Sequence, residues 1–214
     1  MNTEISRSGS IIIVDYGMGN LLSVKKKLDR LNQNTKISSD PREILAAGKI
    51  ILPGVGHFQN AMKNLHEFGL QAVLNEAVLE KKTPVFGICL GMQLMAKHSE
   101  EGDSEGLGWV DAEVVKFNVK DKLIYKIPHT GWNQIESKKE SKLMEGIPEQ
   151  SEFYFVHSYH LKLPEDSSDV LNITYYEYPF VSAIEKRNIL GVQYHPEKSH
   201  SMGEMMLKNF VDRY

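Results

Sequence analysis

The sequence predicts an α/β fold: a three-layer α/β/α arrangement around a mostly parallel central sheet, with antiparallel additions in the second half. Two observations carry this. Up to about residue 100, short apolar runs that read as buried strands alternate with amphipathic helical segments, the pattern of a parallel sheet covered on both faces. From residue 107 onward, segments rich in aromatic and β-branched residues follow one another with little helix between them, as in antiparallel strands.

The run "IIIVDYG" (11–17) is four aliphatic residues closing on Asp and Gly, a buried parallel strand. Next, Leu21, Val24, Leu28 and Leu31 recur at three- and four-residue steps, which places them on one face of a helix with Asn20 as its cap. "KIILPG" (49–54) is the next strand, followed by helical segments near 57–67 and 70–81. "TPVFGIC" (83–89) is a third strand, and "LGMQLMAKH" starts a helix directly after it. The later strands are expected over 107–117, 131–137, 153–163, 170–178, 180–188 and 189–195. "GEMMLKNFVDRY" closes the chain as a helix with Met206, Phe210 and Val211 facing inward.

The 214 residues suffice for one well-packed domain, and no repeat, low-complexity tract or linker divides them. Residues 11–214 therefore read as a single domain, preceded by a loose polar tail over 1–10. A charge of −3 with no basic stripe gives no reason to expect nucleic-acid binding; Lys25, Lys26 and Lys27 read as a solvated helix face. The longest aliphatic run, Ile11 to Val14, is too short to cross a bilayer. One cysteine forms no internal disulfide and no secretory signal precedes Ile11, so a reducing, cytoplasmic setting is expected.

That cysteine stands in Gly87-Ile88-Cys89-Leu90-Gly91, where a strand meets a helix. Two readings are open. A lone cysteine is commonly a small, inert core residue. A Gly-x-nucleophile-x-Gly turn, however, holds its nucleophile at a sharp bend, with glycines letting strand and helix approach, and free N–H groups at the helix start favour a thiolate. A thiolate nucleophile needs a base. In "QYHPEKS" (193–199), Pro196 disfavours helix at His195, and on an extended path Glu197 projects to the same side as His195 and orients its imidazole. Alternatively, His-Pro-Glu is a plain turn at a strand end. "LPGVGHF" (52–58) offers backbone N–H groups at Gly54 and Gly56 for an oxyanion, or is a loop that needs positive φ. "DYGMGN" (15–20) fails as a dinucleotide fingerprint because Leu22 stands at the third glycine position. Pairs such as His157 with His160, or His195 with His200, lack a further ligand set for a metal.

Taken in order, "DYGMGN", "LPGVGHF", "GICLGMQLM", "PHTGWN" (128–133), "YFVHSY" (154–159) and "QYHPEKS" closely resemble the class I (triad-type) glutamine amidotransferases. Within that group they resemble the HisH family, the glutaminase subunit of imidazole glycerol phosphate synthase. The match runs from about Ile11 to the C-terminus and implies a flavodoxin-like α/β/α fold. By this resemblance Cys89 attacks the side-chain amide of glutamine, His195 oriented by Glu197 protonates the departing ammonia, and water hydrolyses the glutamyl thioester. The resemblance also implies an oxyanion met by the Leu90 N–H and, after rearrangement, by Gly54 or Val55. It places Gln93, His157, Ser158 and Tyr159 around the glutamine, and Asn20, His129, Trp132, Tyr154 and Lys198 against a (β/α)₈-barrel cyclase subunit that receives the ammonia in a heterodimer. No cofactor or metal is implied.

Thr130 and Tyr194 depart from residues common in the family, methionine and phenylalanine respectively. "GLGWVDAEV" (106–114) and "KSHSMGEMMLKNF" (198–210) look closer to paralogues of this subunit from surface-polysaccharide gene sets, which supply ammonia to a sugar-modifying amidotransferase. Two further readings stand beside these: a free-standing cysteine hydrolase of γ-glutamyl bonds, which turns over without a partner, and a partner-binding module with a thiol of ordinary reactivity.

Overall fold

The computed structural model describes residues 9–31 and 33–214. Along the chain, β1 (Ile11–Val14) leads into α1 (Leu21–Arg30), whose first turn is capped by the Asn20 side chain accepting from the Ser23 N–H. β2 (Thr35–Ser38), α2 (Pro41–Leu45) and β3 (Lys49–Gly54) follow. Next come α3 (Phe58–Glu67) and α4 (Leu70–Asn75), the latter running on as a π-helical turn over Glu76–Glu80. β4 (Val85–Cys89) passes directly into the single turn α5 (Leu90–Gln93). The second half contains β5 (His98–Ser99), β6 (Ser104–Glu105), β7 (Glu113–Lys116), β8 (His129–Gln134), β9 (Glu136–Ser137), β10 (Glu152–His157) and β11 (Tyr159–Lys162). β12 (Val170–Tyr176), β13 (Tyr178–Lys186), β14 (Ile189–Val192) and α6 (His200–Arg213) complete it.

Strands β2, β1, β3, β4 and β14 lie side by side in parallel. β13 then continues the sheet antiparallel to β14, followed by β11 and β7, with β12 pairing β13 and β9. β8 and β10 form a separate antiparallel ribbon. Alternation along the strands divides the core. Ile12 and Val14 join Ile50, Leu52 and Val85 beneath α2, α3 and α4; Ile11 and Ile13 join Ile51, Phe86, Leu190 and Val192 beneath α1 and α6. These are the three expected layers, with Met206, Phe210 and Val211 of α6 buried. No helix among the described residues is long and apolar enough to cross a membrane.

Several local expectations differ. The helix after Cys89 lasts one turn, because the N–H groups of Leu107, Gly108, Trp109 and Val110 take the carbonyls of Leu94, Ala96 and Met95 that a longer helix needs. The strand expected over 107–117 accordingly begins only at Glu113; Leu107, Trp109, Val110 and Ala112 are buried as loop. β2 and α2 were not foreseen, although Asp40 caps α2 through the Arg42 N–H and Pro41 opens it, a readable start signal. Of the tail expected over 1–10, residues 1–8 lie outside the described residues, while Ser10 accepts a bond from the Gly48 N–H.

Beside the ribbon, His129, His157 and His160 are buried with Phe117, Phe155, Tyr176, Tyr178 and Phe180. Burial lowers His129 to about 4. Burial, together with the neighbouring His129, holds His157 well below the usual imidazole range. Both are therefore neutral in the folded chain at pH 7.

A Cβ on Gly91 would lie 1.7 Å from the Leu52 carbonyl oxygen, whereas one on Gly69 meets nothing within 4 Å. Gly91→Ala is expected to destabilise by about 3 kcal/mol, a drop in melting temperature of roughly 6–12 °C. Gly69→Ala is limited to the cost of its left-handed backbone, about 1 kcal/mol; equal losses would contradict the close approach. The histidines favour the neutral native form, so their stabilisation is present above about 6.5, the ordinary imidazole value, and is lost as pH falls towards about 4. Melting temperature measured from pH 7.5 to 4.5 should fall less steeply in His129→Gln than in the parent; parallel curves would contradict this.

Candidate active site

Parallel neighbours deliver their carboxyl ends to one sheet edge, so the chain leaving β3, β4 and β14 converges there. Cys89 ends β4, in register with Gly54 of β3. Its backbone, at φ 53° and ψ −111°, lies outside the regions a side-chain-bearing residue ordinarily occupies. The glycines on either side make this bend possible. Cβ atoms at positions 87 and 91 would lie 2.7 Å from the Met92 nitrogen and 1.7 Å from the Leu52 oxygen. The elbow thus seats the thiol at the sheet edge. Because α5 is a single turn, its free N–H groups supply the local positive field in place of a full helix dipole.

A cavity of about 270 Å³ opens over Cys89. Leu90, Gln93, His157, Ser158, Tyr159 and Val55 all line it, as do Gly56, Glu101, Pro128 and Val156. Gly54 is not among the lining residues. A Cβ there would fall 2.3 Å from the Tyr16 hydroxyl, so Gly54 serves close packing, and Val55, 42% exposed, is the residue of this loop that faces the cavity. Gln93 donates both amide hydrogens, to the Tyr159 carbonyl and to Gln193 Oε1, each at 2.9 Å. It therefore has only its oxygen to offer a ligand. His157 bonds the Tyr159 carbonyl through Nδ1 at 2.7 Å and His129 through Nε2 at 3.1 Å, so both its ring nitrogens are engaged within the protein.

His195 follows β14 and is buried, its Nδ1 2.8 Å from Glu197 Oε1. The path between them is not the extended one expected. Pro196–Lys198 forms a tight helical turn, with Lys198 N–H bonded to the His195 carbonyl and Ser199 N–H to that of Pro196, and Pro196 presets its first φ. The turn brings the carboxylate back onto the imidazole. Nε2 of His195 and Oε2 of Glu197 are buried without hydrogen-bond partners. Burial opposes the imidazolium, but Cys89 and Glu197 beside it outweigh burial and raise His195 to about 9. A second ring of bonds locks this residue: its N–H donates to the Tyr154 carbonyl at 2.9 Å, and Ser199 Oγ bridges the His195 carbonyl (2.6 Å) and the Tyr154 N–H (3.0 Å). Such an arrangement of thiol, imidazole and carboxylate is suited to acyl transfer.

Asn20 and Lys198 are exposed, and Trp132, 44% exposed, meets the Tyr154 ring edge-on at 6.0 Å. Lys198 Nζ lies 5.5 Å from the Tyr154 ring, and His200 stacks on Trp132 at 4.9 Å. His129, expected in the same docking surface, belongs elsewhere. It is 3% exposed, stacked between Phe155 and Tyr176, and its ring nitrogens engage His157 and Asn133. Its alternation along β8 turns it inward while Trp132 turns out. Glu101, Gln193, Ser199 and His200 were missed in the sequence. Only Gln193 and Ser199 carried a signal there, as neighbours of the His-Pro-Glu turn. Among the described residues no group of three or more His, Cys, Asp or Glu is placed to hold a metal ion.

The family model described as glutamine amidotransferase class-I matches residues 12–214. The chain is 48% identical to "Imidazole glycerol phosphate synthase subunit HisH 2" of Methanococcus maripaludis, over 94% of this chain and 98% of that one. It is 45% identical, with the same two coverages, to the protein of that name in Pseudomonas aeruginosa. A solved glutamine amidotransferase shares the fold at a TM-score of 0.69 and 19% identity, covering 94% of this chain and 97% of its own. The chain belongs to the class-I glutamine amidotransferase family, within its HisH branch.

Proposed function

We propose that the chain is the glutaminase subunit of an imidazole glycerol phosphate synthase, hydrolysing glutamine and passing the ammonia to a (β/α)₈-barrel cyclase subunit in histidine biosynthesis. The observation that carries this is that Cys89 opens onto the cavity with the buried His195–Glu197 pair beside its sulfur, in a chain whose relatives bear that synthase's name. The site works as residues 11–214 folded as one domain, in the cytoplasm.

The Cys89 thiolate attacks the amide carbon of glutamine, and the carbonyl electron pair moves to oxygen. The Leu90 N–H meets that oxyanion, joined by an N–H of the Gly54–Val55 segment once the loop turns. His195, as imidazolium, gives its proton to the amide nitrogen, and ammonia leaves as the thioester forms. Neutral imidazole then takes a proton from water, whose oxygen adds to the thioester. The thiolate is expelled, glutamate is released and the imidazolium is restored. Glu197 holds the imidazole in its working tautomer throughout. Glu101, the one carboxylate lining the cavity among the described residues, faces the α-ammonium group of the substrate, and Gln93 Oε1, Ser158 and Tyr159 fix its remaining polar groups. Asn20, Trp132, Tyr154 and Lys198 form the docking surface for the cyclase.

Glutamate release, measured with the candidate barrel subunit and with or without the cyclase's own substrate, tests the reading. Strong stimulation by that substrate is expected. Stimulation by the barrel with indifference to its substrate would favour the surface-sugar acceptor, and steady turnover by the chain alone would favour a free-standing hydrolase.

Cys89→Ala is expected to abolish glutamine hydrolysis while the complex retains synthesis from added ammonia; glutaminase activity surviving in that variant would sink the assignment. The basic limb of the glutaminase pH profile is expected near pH 9, where the imidazolium loses its proton. Glu197→Gln should lower turnover roughly 10²- to 10⁴-fold and move that limb to lower pH, because the carboxylate favours the charged ring. A limb left in place would separate Glu197 from His195.

A further inference from the structure

One buried polar side chain touches the nucleophile and has no part in the mechanism above. Gln193 follows β14, is fully buried, and its Nε2 donates to Cys89 Sγ at 3.6 Å. The amide cannot reverse. Gln93 Nε2 donates to Gln193 Oε1 at 2.9 Å, so the oxygen end is taken and the donor end must face the sulfur. Gln93 is anchored in turn on the Tyr159 carbonyl at 2.9 Å, and the Gln193 backbone N–H is bonded to the Ser182 carbonyl at 2.8 Å. The contact of Sγ with the Val156 carbonyl is looser, at 4.0 Å.

We propose that Gln193 is a positioning residue for the nucleophile, its fixed amide N–H holding Cys89 Sγ in place and stabilising the sulfur whenever it carries negative charge. The sulfur is an anion twice in each cycle: before it attacks, and again when the thioester collapses and it is expelled. A neutral donor serves both moments without a proton to lose, so it complements His195, whose proton must move. The other ionisable group beside the sulfur, Tyr16, is buried and donates its hydroxyl to the Pro53 carbonyl. Burial raises it far above the usual tyrosine range, which leaves it neutral.

The test uses Gln193→Met, close in shape but without a donor, and iodoacetamide as the electrophile. In the full chain the rate of Cys89 alkylation is followed from pH 5 to 10. The expected result is a half-maximal rate at higher pH than in the parent. In the complex, glutaminase kcat should be roughly ten- to a hundred-fold lower with KM changed by about twofold or less, the worth of a hydrogen bond to a charged acceptor. An alkylation profile superimposable on the parent's, in a variant of normal melting temperature, overturns the proposal. Should Gln193→Met not fold, the ¹⁵N side-chain amide resonance of Gln193 in the otherwise unaltered chain is compared with that in Cys89→Ala. A displaced resonance is expected; an unmoved one overturns the proposal. The turnover readout rests on the glutaminase reading, but alkylation needs no glutamine. A parent chain that fails to hydrolyse glutamine therefore counts against that reading alone.

Discussion

The approach of Gly91 to the Leu52 carbonyl is the constraint on which the rest of the site depends. With no side chain at 91, the first turn of α5 lies directly over β3, and the chain reverses within the single residue Cys89, whose backbone adopts a conformation that costs energy elsewhere in a protein. The remainder follows from sheet order. β4 sits between β3 and β14, all three parallel, so the loop after β3 and the segment after β14 emerge beside the thiol without any long excursion. Val55 arrives from one side, and Gln193 and His195 from the other.

Electrostatics then divides the histidines by environment. His195 and His157 are both buried, yet they are driven in opposite directions. Beside Glu197 and Cys89 the imidazolium is favoured; among Phe117, Phe155 and Phe180, with His129 against it, the neutral ring is favoured. His195 is thereby poised to give a proton, while His129 and His157 serve as packing and hydrogen-bonding groups that stay uncharged. The Tyr154 backbone ties the base to the surface: its carbonyl and N–H hold His195 and Ser199, while its ring sits with Trp132 and Lys198.

Much of this was legible in the sequence because it rests on local rules. Apolar runs bounded by glycine gave β1, β3 and β4, three- and four-residue spacing gave α1 and α6, and the paired glycines gave the elbow. What escaped depended on distant partners. α5 stops after one turn because residues 107–110 claim its carbonyls, and no local pattern shows that competition. Glu197 reaches His195 through a tight turn, although an extended path predicts the same pairing, so the right partners came from the wrong geometry. The inward turn of His129 depends on how β8 sits against β10 and the aromatic cluster behind it. Gln193, a single polar residue beside a recognised motif, becomes informative only when Gln93, a hundred residues earlier in the chain, is seen to fix its orientation.

Presentation of the Cys89 thiol by the elbow to the cavity of about 270 Å³ is the step on which turnover depends. It is tested most directly by exposing the chain to a glutamine-like diazoketone and locating the adduct by peptide mass spectrometry, with and without excess glutamine. A single adduct on Cys89, whose formation glutamine slows, is expected. Adducts spread over histidine and lysine side chains, or labelling of Cys89 that glutamine leaves unchanged, would contradict it.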